Sequence, residues 1–181
     1  MLILFDIDGT LLSTSGAGMR AMEVAGREFF GPDFTTEGIA FAGRLDPLII
    51  SDMFARERRA LTAEALSSFR AAYASHLPSQ LETLRDRSGP LPGVLALVET
   101  LRAEFSNRAT LGLLTGNFPE TGRLKLQTCG LDPDHFAIQV WGDESPSQPP
   151  TRDDLPRVGM ARHAHRAGQP AAPQATIIIG D

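Results

Sequence analysis

The first ten residues constrain the fold more than any other stretch of the chain. Leu2–Phe5 is an apolar run, and Asp6-Ile7-Asp8-Gly9-Thr10 follows it directly. A buried strand would therefore deliver two carboxylates, two residues apart, into a Gly-Thr turn. Residues i and i+2 of a strand share a face, and clustered carboxylates favour a bound cation because their charges repel. A hard divalent ion such as Mg²⁺ takes oxygen ligands of this kind.

The motif also has less specific interpretations. Asp-Gly after a strand is common in ordinary turns. A calcium loop of the EF-hand type needs Gly at its sixth position and Glu at its twelfth. Counted from Asp6, those positions hold Leu11 and Ala17, so a calcium loop is excluded. Paired acids can instead divide the work of an enzyme, one attacking as a nucleophile and the other moving protons.

The composition predicts a globular protein with one domain, or one domain with an insertion. The chain has 181 residues, of which 42% are hydrophobic, and its formal net charge is −5. Domains average ~100–200 residues, and the acidic balance lacks the basic footprint of a nucleic-acid-binding protein. The single cysteine, Cys129, rules out an internal disulfide framework, and we expect it to serve packing.

Membrane association is not expected either. The longest apolar stretches fall well short of the ~18 residues that predict a transmembrane helix. The N-terminus lacks the basic start of a signal peptide, and Asp6 and Asp8 interrupt its apolar run. We therefore expect a cytoplasmic protein that contacts neither nucleic acid nor membrane.

Residues 14–88 are predicted to be helical. Met19, Met22 and Phe29 recur on one face of a first helix, and Asp46-Pro47 has the form of an N-cap followed by proline. A long amphipathic helix follows, which we expect to be bent or divided at Pro78. Its apolar positions are Leu66, Phe69, Tyr73, Leu77, Leu81 and Leu84. This stretch is interpreted as an inserted helical cap.

After the Pro/Gly-rich segment Ser88–Gly93, helices alternate with strands. The predicted helices are Val94–Phe105, Pro119–Cys129 and Leu155–Ala167, and the predicted strands are Thr110–Leu114, Phe136–Val140 and Ala175–Ile179. Such alternation implies a parallel sheet, and ligands of such sheets bind beyond the carboxyl ends of the strands. Asp6, Thr115 and Asp181 each follow a predicted strand. We predict an α/β core of residues 1–13 and 89–181 and a helical cap of residues 14–88.

Four features, in this order, resemble the haloacid dehalogenase-like superfamily. They are the Asp6–Thr10 motif, Thr115-Gly116-Asn117 after a later strand, a basic residue before a helix, and the final Ile177–Asp181. More narrowly, the chain is similar to phosphoglycolate phosphatase-like members with a helical C1-type cap after the first motif. The resemblance covers essentially the whole chain and implies a Rossmann-like parallel sheet. Family members continue past the position of Asp181, so part of the C-terminal core is expected to be missing.

The resemblance implies chemistry for five of these residues. Asp6 would be the nucleophile that forms an aspartyl-phosphate, and Asp8 would protonate the leaving alcohol and then activate water. Asp8 argues against dehalogenation, because a halide leaves without a proton. Thr115 and the N–H of Gly116 would hold phosphoryl oxygens. Mg²⁺ would be bound by Asp6, the backbone carbonyl of Asp8 and Asp181.

A cation should also balance the charge of the phosphoryl group. Arg152, in the loop before the last helix, is the favoured candidate, and Lys125 is expected to be a solvated residue in mid-helix. Arg44 lies in Gly43-Arg44-Leu45-Asp46, which resembles the loop with which such caps contact substrate, while Asp46 is interpreted as the helix N-cap. His163 and His165 are both expected at the surface.

The sequence therefore predicts a Mg²⁺-dependent phosphatase that acts on a small phosphorylated metabolite through an aspartyl-phosphate. One alternative is a phosphosugar mutase of the β-phosphoglucomutase type, which would use the same intermediate and a similar cap. Another is an inactive, truncated member of the superfamily. No feature of the sequence predicts an oligomeric state.

Overall fold

The computed structural model describes residues 1–168 and 172–180. The strands are β1 (Leu2–Phe5), β2 (Leu12–Ser13), β3 (Gly89–Pro90), β4 (Thr110–Leu114), β5 (Ile138–Val140) and β6 (Thr176–Ile179). The helices are α1 (Ala17–Phe30), α2 (Asp46–Arg56), α3 (Ala63–Thr83), α4 (Val94–Phe105), α5 (Pro119–Thr128) and α6 (Leu155–Ala167). None of the helices in these ranges has the length and apolar character needed to cross a membrane.

Four strands form a parallel sheet in the order β5-β4-β1-β6. β1 lies between β4 and β6, and Leu2 aligns with Thr110 on one side and Thr176 on the other. All four residues of β1 are buried, which explains why this strand is a continuous apolar run rather than an alternating one. The predicted α/β class with a parallel sheet is confirmed.

A small antiparallel pair connects the two ends of the helical insertion. Leu12 aligns with Pro90 and Ser13 with Gly89, and the N–H of Leu91 donates to the carbonyl of Leu11 at 3.0 Å. The chain therefore leaves the sheet and returns to it at adjacent positions. Domain boundaries at residues 13 and 89 agree with this arrangement and stay a prediction.

The helical insertion has an apolar core of its own. α1 packs along α3, and Met22, Met53 and Tyr73 are buried between the helices. Aromatic rings at Phe29, Phe30, Phe34, Phe54 and Phe69 contact one another at centroid distances of 4.8–6.3 Å. A separate cluster beneath the sheet contains Phe5, Leu113 and Phe136.

Several predicted details of the elements differ in the structure: α5 ends at Thr128 and β6 begins at Thr176, each one residue from its predicted bound. The predicted division of α3 at Pro78 is wrong, because the helix runs unbroken from Ala63 to Thr83 and its buried positions on both sides of the proline, Leu77 and Leu81, belong to one apolar cluster with α1; a bend at Pro78 stays a prediction. β5 begins at Ile138, two residues late, since a short 3₁₀ turn precedes it. His163 is buried, because Leu155, Gly159 and His163 form the sheet-facing stripe of α6 at i, i+4 and i+8; His165 is exposed as expected.

Candidate active site

A cavity of about 320 Å³ opens at the carboxyl ends of β1 and β4, between the sheet and the helical insertion. The core contributes Asp6, Asp8, Thr115–Asn117, Lys125 and Arg152 to its wall, and the helical insertion contributes Met19, Met22, Phe41–Arg44, Asp46 and Tyr73. The predicted residues within the described ranges therefore meet at one place. Asp181 lies outside the described residues.

Asp6 is buried and is held from three directions. Its backbone N–H donates to the carbonyl of Ile179 at 2.9 Å, and its Oδ1 accepts from the N–H of Ile7 at 2.7 Å. Its Oδ2 accepts from the guanidinium of Arg152. The side chain that follows the central strand is thus fixed in direction, with a cation at one oxygen.

Asp8 belongs to a closed network with Lys125 and Asn117. Its Oδ2 accepts from Lys125 Nζ at 2.7 Å and from Asn117 Nδ2 at 2.8 Å. Lys125 Nζ also donates to Asn117 Oδ1 at 2.6 Å, and Asn117 Nδ2 reaches Thr115 Oγ1 at 2.8 Å. The turn after β4 therefore orients the second carboxylate.

Electrostatics keep the Asp8–Lys125 pair ionised. Burial within the cavity wall raises the pKa of Asp8, but the charge and hydrogen bond of Lys125, with the hydrogen bond of Asn117, outweigh it and lower that pKa. Burial lowers the pKa of Lys125, but the charges of Asp8, Tyr73 and Asp46 together with the hydrogen bond to Asp8 outweigh burial, so that the lysine pKa is raised. Asp8 is accordingly a carboxylate, able to accept a proton.

The prediction that Lys125 is a solvated residue is wrong. Its residue exposure is 5%, because Thr121, Gly122, Lys125 and Leu126 form the buried face of α5. The sequence carries a signal for this burial. α5 starts two residues after the Thr115–Asn117 turn, and positions that recur at spacings of three and four share one face of a helix. Lys125 lies on the face that contacts the turn.

Arg152 does lie at the site, as favoured. It begins a 3₁₀ turn that Thr151 caps, the hydroxyl accepting from the N–H of Asp153 at 3.3 Å. Each carboxylate of the first motif thus has its own cation, Arg152 for Asp6 and Lys125 for Asp8. Which of the two contacts a phosphoryl group stays a prediction.

The Thr115–Asn117 turn fits tightly between two backbone segments. A Cβ on Gly116 would lie 2.1 Å from the carbonyl oxygen of Arg44, and a Cβ on Gly142 would lie 1.9 Å from the carbonyl oxygen of Gly116. Gly142 also donates its N–H to the carbonyl of Asn117 at 2.8 Å. Only glycine therefore fits at positions 116 and 142. The residue before Gly142 is Trp141, which is buried.

The Arg44 loop departs from prediction at Asp46. Arg44 lines the cavity and pairs with Asp52. Asp46 does not cap α2, since it lies in the first turn and Leu45 is the N-cap. Its Oδ2 instead accepts from the N–H of Phe118 at 3.0 Å, at the start of α5. Burial raises the pKa of Asp46 to about 7. The sequence hid this contact because the partner is 72 residues away.

Comparison with known proteins identifies the family. The family model for haloacid dehalogenase-like hydrolases matches residues 3–181. The chain belongs to this family. It is therefore an enzyme of the hydrolase class. No curated protein matches it.

Solved structures share the haloacid dehalogenase-like fold. CbbY from Rhodobacter sphaeroides in complex with phosphate has a TM-score of 0.71 and 16% identity, covering 98% of this chain and 76% of its own. A predicted phosphoglycolate phosphatase from Haemophilus somnus has a TM-score of 0.63 and 16% identity, covering 98% and 75%. A protein provisionally described as a β-phosphoglucomutase, from Thermotoga maritima, has a TM-score of 0.54 and 18% identity, covering 98% and 74%.

The donor set fits the Mg²⁺ that this family generally uses. Asp6 would supply a carboxylate oxygen and Asp8 its backbone carbonyl oxygen, and Mg²⁺ is often held by one or two carboxylates together with substrate phosphate. Neither histidine nor cysteine contributes to the cavity wall formed by residues 1–168 and 172–180. Within those ranges no three acidic, histidine or cysteine side chains cluster as a metal site. The ligand roles of Asp181 and of the Asp8 carbonyl stay predictions.

Proposed function

We propose that this haloacid dehalogenase-like enzyme is a Mg²⁺-dependent phosphomonoester hydrolase. It acts on a small phosphorylated metabolite through an aspartyl-phosphate on Asp6. One observation carries the proposal: Asp6 and Asp8 follow the central strand into one cavity, each carboxylate with its own cation. The neighbour CbbY, which has the same fold, was solved with phosphate, and this supports a phosphorylated ligand.

In the first step Asp6 attacks phosphorus. The N–H of Ile7 fixes one carboxylate oxygen. Arg152 can move from its single contact with Asp6 to the entering phosphoryl oxygens, which a guanidinium binds in bidentate fashion. The hydroxyl of Thr115 and the N–H of Gly116 hold the remaining oxygens. A bond forms from the Asp6 oxygen to phosphorus while the bond to the leaving alcohol breaks.

Asp8 moves one proton out and one proton back. The alcohol departs with a proton from Asp8, so Asp8 must be protonated when the substrate is bound. The phosphate dianion favours this, because its negative charge offsets the effect of Lys125 on the Asp8 pKa. Asp8 then accepts a proton from water, which attacks phosphorus, releases inorganic phosphate and regenerates Asp6.

Metal and cap complete the proposed site. Mg²⁺ held by the carboxylate of Asp6 and the backbone carbonyl of Asp8 would neutralise charge on the phosphoryl group. Arg44 faces the cavity from the helical insertion and would contact the part of the substrate that leaves as alcohol. Since the cavity is about 320 Å³, the substrate should be a small metabolite rather than a macromolecule.

The test measures release of inorganic phosphate from a panel of phosphorylated metabolites, with and without Mg²⁺. Asp6→Asn is the matched inactive control, because it keeps the shape of the side chain and removes the nucleophile. We expect Mg²⁺-dependent turnover of at least one metabolite by the natural sequence and none by the variant. Near-normal turnover by Asp6→Asn would contradict the proposed mechanism. Slow hydrolysis with activation by a sugar bisphosphate would instead identify a phosphosugar mutase.

A further inference from the structure

The loop Gly43–Asp46 of the helical insertion is joined to the Thr115–Asn117 turn through backbone atoms. The N–H of Asp46 donates to the carbonyl of Gly116 at 2.7 Å. The carbonyl of Arg44 lies so close to Gly116 that a Cβ there would come within 2.1 Å of it. The loop that bears Arg44 and the turn that bears Thr115 therefore form one continuous wall of the cavity.

The side chain of Asp46 extends this connection to α5. Its Oδ2 accepts from the N–H of Phe118, the residue that precedes the first turn of the helix. A carboxylate at a helix N-terminus stabilises the free amide groups and complements the helix dipole. The same helix carries Lys125 to Asp8. Asp46 is 6% exposed, so water cannot easily replace it as the acceptor.

We propose that Asp46 is a positioning residue that holds the Arg44 loop, the Thr115–Asn117 turn and α5 in one fixed arrangement. The inference rests on the proposed phosphatase function for its catalytic consequence. Asp46 takes no part in the chemistry assigned to Asp6 and Asp8. Its effect passes through Gly116, which is to hold phosphoryl oxygens, and through Lys125, which orients Asp8. Loss of Asp46 should therefore disturb the transition state more than ground-state binding.

The experiment compares Asp46→Ala, Asp46→Asn and Thr36→Ala with the natural sequence. Thr36 is the matched control, since it is a buried polar residue of the same insertion whose hydroxyl bonds to Glu23 at 2.8 Å, away from the cavity. The measurements are kcat and KM for p-nitrophenyl phosphate, the change in Tm on adding inorganic phosphate with Mg²⁺, and hydrogen exchange of the Phe118 amide.

We expect Asp46→Ala to lower kcat by about 10–100-fold with a much smaller change in KM, because a displacement of ~1 Å at a site can cost ~10²-fold in rate. Exchange at Phe118 should accelerate. Asp46→Asn should recover most of kcat, since its amide oxygen can still accept from Phe118. Thr36→Ala should lower Tm and leave kcat unchanged.

Unchanged kcat in Asp46→Ala, or an Asp46→Asn variant as poor as Asp46→Ala, would overturn the proposal. If Asp46→Ala does not fold, Asp46→Glu replaces it, because it keeps the charge and displaces the oxygens, and the same loss of kcat is expected. If the natural sequence hydrolyses no phosphomonoester, the proposed function has failed. In that case the positioning role is tested only by hydrogen exchange at Phe118 and by the change in Tm on adding phosphate. If neither differs between Asp46→Ala and the natural sequence, the positioning role is refuted.

Discussion

Two carboxylates two residues apart acquire different properties from their surroundings. Asp6 is buried against Arg152, whereas the side chain of Asp8, which lines the cavity beside Lys125, is 43% exposed. Environment of this kind separates nucleophile from acid/base in enzymes that use paired acids. The same logic predicts distinct losses when each partner is removed.

Removal of Lys125 and removal of Arg152 should have different effects on stability and turnover. Lys125→Ala leaves Asp8 and Asn117 without their shared donor, so the free energy of unfolding should fall by roughly 1–3 kcal/mol along with turnover. Arg152→Ala should lower turnover ~10²–10³-fold, the loss typical of a transition-state donor, with a smaller loss of stability because Arg152 is partly exposed. Urea unfolding and kcat measured on both variants test this. Normal turnover in Arg152→Ala would remove it from the proposed mechanism.

Asp8→Asn should reveal proton transfer to the leaving group. General acid–base catalysis typically contributes ~10²–10⁴-fold, and we expect a loss of this size for alkyl phosphates. The loss should be smaller for p-nitrophenyl phosphate, whose leaving group needs less protonation. The comparison requires kcat for both substrates in both proteins. Equal losses would show that Asp8 acts only through the metal.

The buried carboxyl of Asp46 should make stability depend on pH. Burial, the largest influence, raises its pKa to about 7 against the opposing charge of Lys125, while Asp8 and Glu120 add to the rise. Since the folded pKa exceeds the unfolded value of ~3.9, the natural protein should lose stability relative to Asp46→Asn as pH rises from about 4 to 7. The slope should approach ~1.4 kcal/mol per pH unit. Urea unfolding across this range measures it, and a pH-independent difference would contradict it.

At the scale of elements, the turn after β4 depends on the absence of a side chain. Gly116→Ala would place a Cβ 2.1 Å from the backbone oxygen of Arg44, and backbone atoms cannot move aside as a flexible side chain can. We expect a loss of roughly 1–3 kcal/mol in stability, typical of overpacking, and lower turnover. Gly89→Ala is the control, because no atom lies within 4 Å of its added Cβ. Equal stability of the two variants would contradict the tight fit.

Sequence reasoning located the elements better than the contacts between them. The bounds of α4, β4 and α6 were predicted residue for residue, because glycine, proline and apolar periodicity mark them locally. The burial of Lys125 and the partner of Asp46 were missed, since each depends on which face of a helix meets a segment distant in the chain. Asp6 and Asp8 were found because strand ends of a parallel sheet converge, and Arg152 because the family resemblance calls for a basic residue before a helix.

At the scale of the whole molecule, an ion-pair network outside the cavity joins the helical insertion to the core. Arg70 of α3 donates to both carboxylate oxygens of Glu120, at 2.5 and 2.7 Å, and to Asp143 at 2.8 Å. Its guanidinium also lies 4.2 Å from the ring centroid of Phe118. Networks with bidentate geometry stabilise more than isolated surface pairs do, so this one should help to keep the insertion against α5.

Arg70→Ala should therefore lower the free energy of unfolding by about 1 kcal/mol and speed hydrogen exchange along α3. Arg85→Ala is the control, because Arg85 forms an exposed pair with Glu82 at 3.6 Å within the insertion and should have almost no effect. Urea unfolding and exchange on the two variants provide the measurement. Equal losses of stability in the two variants would show that the network does not help to hold the insertion against the core.

The positions of two aromatic residues equip this enzyme with its own optical reporter. The chain contains one tryptophan and one tyrosine. Tyr73 belongs to the insertion and lines the cavity, while Trp141 lies in the core beside the Gly142 contact with the turn. The fluorescence of Trp141 under selective excitation should therefore change when a ligand binds at the turn. Energy transfer from the phenol to the indole should follow the separation of insertion and core, without any attached dye.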